Sequence, residues 1–275
     1  MKVIKIENFT KKYGNFEAVK KLNLNIYKGQ IVGFVGKNGA GKSTTLRCIV
    51  DMIHQTEGKI EIFGLDNIKD SKKIKERTSY IPSEMALYEN ITVDKLIRFT
   101  LKFTKSTEEE MQELLKYFEL DSSKKVNELS LGNKKKVAIV QGLLRKPELI
   151  ILDEPTSGLD PLIQKKFFEL LLKEKEKGTT IFLSSHNLVE IEKYCDKVAI
   201  IKEGILEDYL DIKDIKINKK QTVTYKEIGK EIKTYLVEED INELVLKLSK
   251  LKLEMLEIKA NTVEDEFVEY YKEEE

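Results

Sequence analysis

Cysteine is scarce in this chain, proline is confined to one stretch, and neither sign of charge is in excess. Only Cys48 and Cys195 occur among 275 residues. They form neither a CxxC pair nor any metal-ligand spacing, which excludes a disulfide scaffold and a cysteine-held metal. Both read as small buried apolar residues in a reducing compartment. The 48 Lys and Arg side chains cancel 48 Asp and Glu, so there is no basic footprint of the kind a nucleic-acid partner requires. Long hydrophobic runs are also missing. Nowhere do about 18 uncharged apolar residues follow one another, and the opening MKVIKIENFTKKYG lacks the apolar centre of a signal peptide. The expectation is a chain that does not itself cross a membrane.

The four prolines, Pro82, Pro147, Pro155 and Pro161, stop before mid-chain is far behind, and beyond Gly204 the only glycine is Gly229. This change of turn chemistry predicts two units, residues 1–212 and a small α+β accessory domain over 213–275.

In the first unit the short apolar runs IVGFV, LIILD, TIFLS and KVAII show no polar alternation. Such runs suit parallel strands buried on both faces. Between them lie helical patterns: Met111, Leu114, Leu115 and Phe118 fall on one helix face. Asp160 and Pro161 open a further helix as N-cap and first residue, and Gly178 closes it. Alternating strand and helix predicts an α/β core with a mainly parallel sheet. The tail reads as a hairpin around Gly229, a helix over 241–248, a strand near 252–258 and a last helix from Thr262.

The strand IVGFV runs into Gly36-Lys37-Asn38-Gly39-Ala40-Gly41-Lys42-Ser43-Thr44, which fits GxxxxGK[ST] between a strand and a helix. Glycines let successive N–H groups turn into one concavity around the α- and β-phosphates. Lys42 would reach the β- and γ-phosphates, and the Ser43 hydroxyl would ligate Mg²⁺. LIILD delivers Asp153 and Glu154 at a strand's C-terminal end, where an open α/β sheet places its ligands. Asp153 suits Mg²⁺ and Glu154 suits proton acceptance from an attacking water. A second anion-binding end is written in LSLGNKKK: Ser130 and Gly132 open a helix whose free N–H groups point outward. Lys134, Lys135 and Lys136 read as solvent-facing, because cations at a helix N-terminus are tolerated only when exposed.

These motifs, GKNGAGKST, YIPSE, LSLGN, LIILDEP, SGLD and SSH, resemble in order and spacing those of the ATP-binding cassette ATPases, the nucleotide-binding subunits of membrane transporters. The resemblance covers about Ile4 to Leu206. It implies a P-loop cassette with a helical subdomain over about 83–145, acting on Mg-ATP. It implies that Ser130 and Gly132 cap the γ-phosphate held by a second cassette in a homodimer, with Asp160 touching that partner.

The resemblance also makes Tyr13 the aromatic that stacks on adenine, although a strand-flanking tyrosine fits the same pattern. It makes His186 the residue that bonds the γ-phosphate and helps hold Glu154 and water. His54 reads as a surface residue. Where the family has a Mg²⁺-sensing Gln after YxP, this chain has Ser83 followed by Glu84, and either residue could take that place. The PSE loop, LSLGN, DEPTSGLDPL and the ending NTVEDEFVEYY look like the ATPase subunits of bacitracin-resistance and multidrug exporters. That implies a separate transmembrane permease and a peripheral location on the cytoplasmic face of the membrane. A non-transport cassette, in cluster assembly or regulation, is the alternative; the layout excludes repair members with long insertions and translation members with two cassettes.

Overall fold

The computed structural model describes residues 1–85, 88, 90–217, 221–237 and 241–260. The first two strands, β1 (Lys2–Tyr13) and β2 (Phe16–Tyr27), form an antiparallel hairpin around Gly14. Strand β3 (Ile31–Val35) leads through the glycine loop into helix α1 (Lys42–Ile49). Strands β4 (Glu57–Ile62) and β5 (Leu65–Asp66) then join the hairpin in a sheet of order β2-β1-β4-β5. Helix α2 (Ser71–Arg77) and strand β6 (Thr78–Ile81) return the chain to the core.

Three helices follow: α3 (Val93–Leu101), α4 (Glu108–Tyr117) and α5 (Leu131–Leu144). Helix α4 starts with a reciprocal capping box between Thr107 and Glu110, which satisfies two orphan N–H groups. The remaining core alternates β7 (Leu149–Asp153), α6 (Pro161–Glu176), β8 (Thr180–Ser185), α7 (Leu188–Tyr194), β9 (Lys197–Lys202) and β10 (Ile205–Asp211).

The central sheet has order β10-β9-β3-β8-β7-β6 and is parallel except for the β9–β10 pair. The expected parallel core is therefore present, and its four apolar runs are β3, β7, β8 and β9. Alternate residues of these strands enter two different cores. Ile31, Val35, Ile150, Leu152, Ile181 and Leu183 pack with α3–α6, whereas Val32, Phe34, Leu149, Ile151 and Phe182 pack with α1 and the β1-β2-β4 sheet. That is why the runs carry no polar alternation. Cys48 and Cys195 are buried and free.

The tail holds α8 (Ile212–Ile217), β11 (Gln221–Glu227), β12 (Ile232–Val237), α9 (Ile241–Leu248) and β13 (Leu253–Ala260). Strand β11 is central, in the order β12-β11-β13. The hairpin turns at Gly229, whose φ of 76° suits glycine. Val223, Tyr225, Val237, Leu244 and Leu248 form a third, separate apolar cluster. The helix expected from Thr262 lies outside the described residues.

Candidate functional site

The loop from Gly36 to Gly41 lies at the C-terminal end of β3, in the middle of the parallel sheet. Gly41 has φ 106°, and a Cβ there would stand 2.6 Å from the Ala18 carbonyl oxygen, so only glycine fits this turn into α1. Lys42 folds back over the loop: its Nζ donates to the Gly36 carbonyl at 2.6 Å and to the Lys37 carbonyl at 3.3 Å. Burial lowers the proton affinity of this ammonium, and the Glu154 and Asp153 carboxylates oppose that shift.

Strand β7 stands two places from β3 with β8 between, and brings its carboxylates to the same edge. The Ser43 hydroxyl donates to Asp153 Oδ1 at 2.9 Å, and Ser184 Oγ from β8 donates to the same oxygen at 2.8 Å. Asp153 Oδ2 is buried without a partner. A buried carboxylate oxygen left over beside a serine hydroxyl is a donor set for a hard cation, so Ser43 and Asp153 fit Mg²⁺.

Glu154 takes φ 48°, the left-handed region, although the residue before a proline is expected to be extended. Its N–H donates to Ser184 Oγ at 3.0 Å, and Lys135 Nζ donates to its carbonyl at 2.6 Å. In this pose its carboxylate turns toward the glycine loop. Oε2 lies 2.7 Å from His186 Nδ1 and Oε1 lies 3.9 Å from Lys42 Nζ. A cavity of about 400 Å³ opens between Glu154, His186, Ser185, Gly36, Lys37 and Asn38, with room for a phosphate and a water.

The structure thus brings Gly36, Asn38, Gly39, Ala40, Gly41, Lys42, Ser43, Thr44, Asp153, Glu154 and His186 to one sheet edge. Tyr13 is half-exposed at the end of β1, paired with Phe16. Phe16, Glu17 and Ala18 wall a further cavity of about 420 Å³ with Lys37, Asn38, Gly39 and Ala40.

Ser130 and Gly132 lie on the other side of the sheet at the start of α5. Ser130 is exposed and caps the helix, accepting from the Asn133 N–H at 3.3 Å. Gly132 packs on the 154–160 loop: a Cβ there would meet the Gly158 carbonyl oxygen at 2.7 Å. Asp160 is exposed and caps α6 through the Ile163 N–H at 3.0 Å. Ser83 follows β6 beside β7 and is half-buried, while Glu84 is exposed. His54 is a surface residue, 3.1 Å from Asp51.

One expectation fails. Lys135 does not face solvent: it is 1% exposed and points inward to the carbonyls of Glu154 and Ser83. Lys134 and Lys136 are half-buried. Three contributors to the site were not singled out from the sequence. Ser184 bridges Asp153 and the Glu154 backbone, Lys135 holds the Glu154 carbonyl, and buried Glu190 accepts from Thr156 Oγ1 at 3.0 Å. The signal for Lys135 was its place three residues after Gly132 and four before Ile139, on the buried face of α5.

The family model described as ABC transporter matches residues 19–157. The chain belongs to the ABC transporter family. A second model, described as an AAA domain, putative AbiEii toxin, matches only residues 124–192. This ABC cassette is 41% identical over 209 residues to the bacitracin transport ATP-binding protein of Bacillus licheniformis, covering 74% of this chain and 68% of the relative. Among solved structures, an ATP-binding subunit of an ABC transporter aligns at 31% identity with a TM-score of 0.72, covering 78% of this chain and 92% of that one. A dimeric cassette in a post-hydrolysis state, bound to ADP and phosphate, aligns at 28% identity with a TM-score of 0.69, covering 76% and 98%. The chain is an ATP-binding subunit that hydrolyses ATP. Nothing in these comparisons supports a non-transport cassette.

Proposed function

We propose that two copies of this cassette sandwich two Mg-ATP molecules and so drive a separate transmembrane permease that exports its cargo. The observation that carries this reading is the convergence of Lys42, Ser43, Asp153, Glu154 and His186 on one sheet edge, with Ser130 exposed at a different helix end. Ser130 already caps the Asn133 N–H, and an exposed helix N-terminus leaves further backbone N–H groups that an anion from a neighbouring copy can bind.

In this scheme the loop from Gly36 to Thr44 wraps the phosphates, and Tyr13 stacks on the adenine. Ser43 and Asp153 would hold Mg²⁺, which supplies charge neutralisation at the β- and γ-phosphates. Glu154 accepts the proton of the attacking water, and His186, bonded to it, orients its carboxylate and donates toward the γ-phosphate. Ser130, Gly132 and Asp160 serve the neighbouring copy's nucleotide. The loop at Ser83 and Glu84 links the site to the permease.

Exposed Phe99 and Phe103 meet edge to face, and the neighbouring Thr100 lines a cleft of about 300 Å³ with Tyr80, Pro82, Gln141 and Arg145; together they suit a protruding helix of the membrane partner. No helix among the described residues is long and apolar enough to cross a membrane, which fits attachment to the cytoplasmic face through that partner. The bacitracin-transport relative supports export. The division into 1–212, with a helical subdomain over 83–145, and 213–275 is part of this proposal; its support is that, among the described residues, Ile212 is the last in the main core and the tail has an apolar cluster of its own. A chain ending after Ile212 is therefore expected to keep ATP binding.

The deciding experiment is turnover against protein concentration. Specific activity should rise with concentration and collapse on Ser130→Arg. Full turnover by a diluted monomer indifferent to Ser130 would overturn the shared site.

A further inference from the structure

Helix α5 buries a positive charge. Removing an ammonium from water is unfavourable unless its donors are satisfied, and an apolar side chain of similar length would fill the same space without that cost. What satisfies Lys135 is two backbone carbonyls from separate segments: Glu154 at 2.6 Å and Ser83 at 3.4 Å. The Asp153 and Glu154 carboxylates support the cation electrostatically against burial.

Both segments matter to the reaction. Glu154 holds φ 48°, an unfavourable conformation for a residue with a side chain, and it persists because both backbone polar groups are anchored. Ser184 Oγ takes the N–H at 3.0 Å, and Lys135 takes the carbonyl. Ser83, in the loop after β6, has its main-chain carbonyl tied to the same ammonium.

The helix carrying Lys135 is seated closely along the same face. Gly132 lies against the Gly158 carbonyl, and Gly142 lies against Ile81, with its own carbonyl accepting from Ser79 Oγ at 2.7 Å. These glycine contacts let α5 approach until the lysine stem reaches both loops.

We propose that Lys135 is a positioning residue, an internal ammonium that clamps the Ser83 loop and the Glu154 backbone to the helix whose first turn presents Ser130 and Gly132. The clamp makes one rigid piece of this chain's own base and the turn that seals the neighbour's nucleotide. It works through Glu154 and touches neither nucleotide nor water. The proposal rests on the reading of Glu154 as the water-activating base.

The test uses the full chain with Lys135→Met, which keeps the stem and removes the donors, and Lys135→Gln, which keeps N–H donors without charge. Lys135→Met should lower kcat by about tenfold or more while KM and the equilibrium affinity for a fluorescent ATP analogue stay within about twofold. Lys135→Gln should fall between Lys135→Met and the parent. Added to Glu154→Gln, Lys135→Met should lower kcat far less than it does in the parent, because the clamp's effect on the chemical step runs through that residue. A Lys135→Met protein with kcat within about twofold of the parent, or with kcat and affinity falling together, overturns the proposal. If Lys135→Met fails to fold, Lys135→Gln decides: a reduced kcat at constant KM supports the clamp, and an unchanged kcat overturns it. Normal turnover by Glu154→Gln would instead remove the base assignment, whereas an inactive Glu154→Gln beside an unimpaired Lys135→Met removes the clamp alone.

Discussion

His186 Nδ1 and Glu154 Oε2 lie 2.7 Å apart although 32 residues separate them in the chain. They meet because β7 and β8 are adjacent parallel strands whose C-terminal ends release both residues at one edge. The imidazole is well exposed and the carboxylate is not, at 67% and 18% of their side-chain areas. The pair therefore fixes the orientation of Glu154 and leaves His186 open toward an incoming phosphate.

Glu154→Gln keeps the shape of the site and removes the proposed proton acceptor. General-base catalysis contributes about 10² to 10⁴ in rate, so turnover should fall by that range while ATP binding persists. Size-exclusion chromatography with ATP should show an accumulated dimer, and single-turnover assays should show slow hydrolysis.

Asp153 Oδ2 is a buried carboxylate oxygen without a partner. Asp153→Asn should abolish the strengthening of ATP binding by Mg²⁺ while leaving metal-free binding within about threefold, since the glycine loop and Lys42 are intact. Titration of nucleotide with and without the metal measures this directly. Equal metal dependence in both proteins would exclude Asp153 from the metal site.

Gly132→Ala forces a methyl to 2.7 Å from the Gly158 carbonyl oxygen. Backbone must move to admit it, at a cost of about 1–3 kcal/mol. Urea denaturation should report that loss, and ATP-driven dimer formation should weaken because Ser130 moves with the same turn.

Glu190 supplies a pH signature. Burial raises its carboxyl above the ordinary value of 4.5, opposed by the hydrogen bonds from Thr156 and Asn187 and by His186. As pH rises through 4.5 the unfolded chain loses this proton first, so folding stability falls until the folded-state value is passed. Glu190→Gln removes the ionisation. Melting temperatures should show the variant gaining on the parent as pH rises above 4.5, with the gap constant once the folded-state value is passed. A gap independent of pH would show that Glu190 titrates normally.

Much of the site was legible because its chemistry is compressed into contiguous motifs: the glycine loop, the paired carboxylates and SSH each carry their own strand or helix. The central strands were legible because both their faces are buried. The N-terminal sheet was not, since β1 shifts register between Ile6 and Phe9 and again before Lys11, which breaks the period-2 pattern. Lys135 was misread because a lysine beside a helix start has a strong expectation of exposure, and only tertiary packing shows two carbonyls within its reach. The left-handed Glu154 was equally hidden, as Pro155 argues for an extended predecessor and the hydrogen bonds that override it come from β8 and α5.

The central sheet is a partition. The glycine loop's helix shares its interior with the β1-β2-β4 sheet, and the helices around Phe99 share theirs with the opposite face. If a membrane partner docks on the Phe99 side, as proposed, substitutions there fall mostly among side chains outside the cluster that holds the glycine loop's helix. Under that proposal, a partner-facing surface would be free to change with little disturbance of the glycine loop.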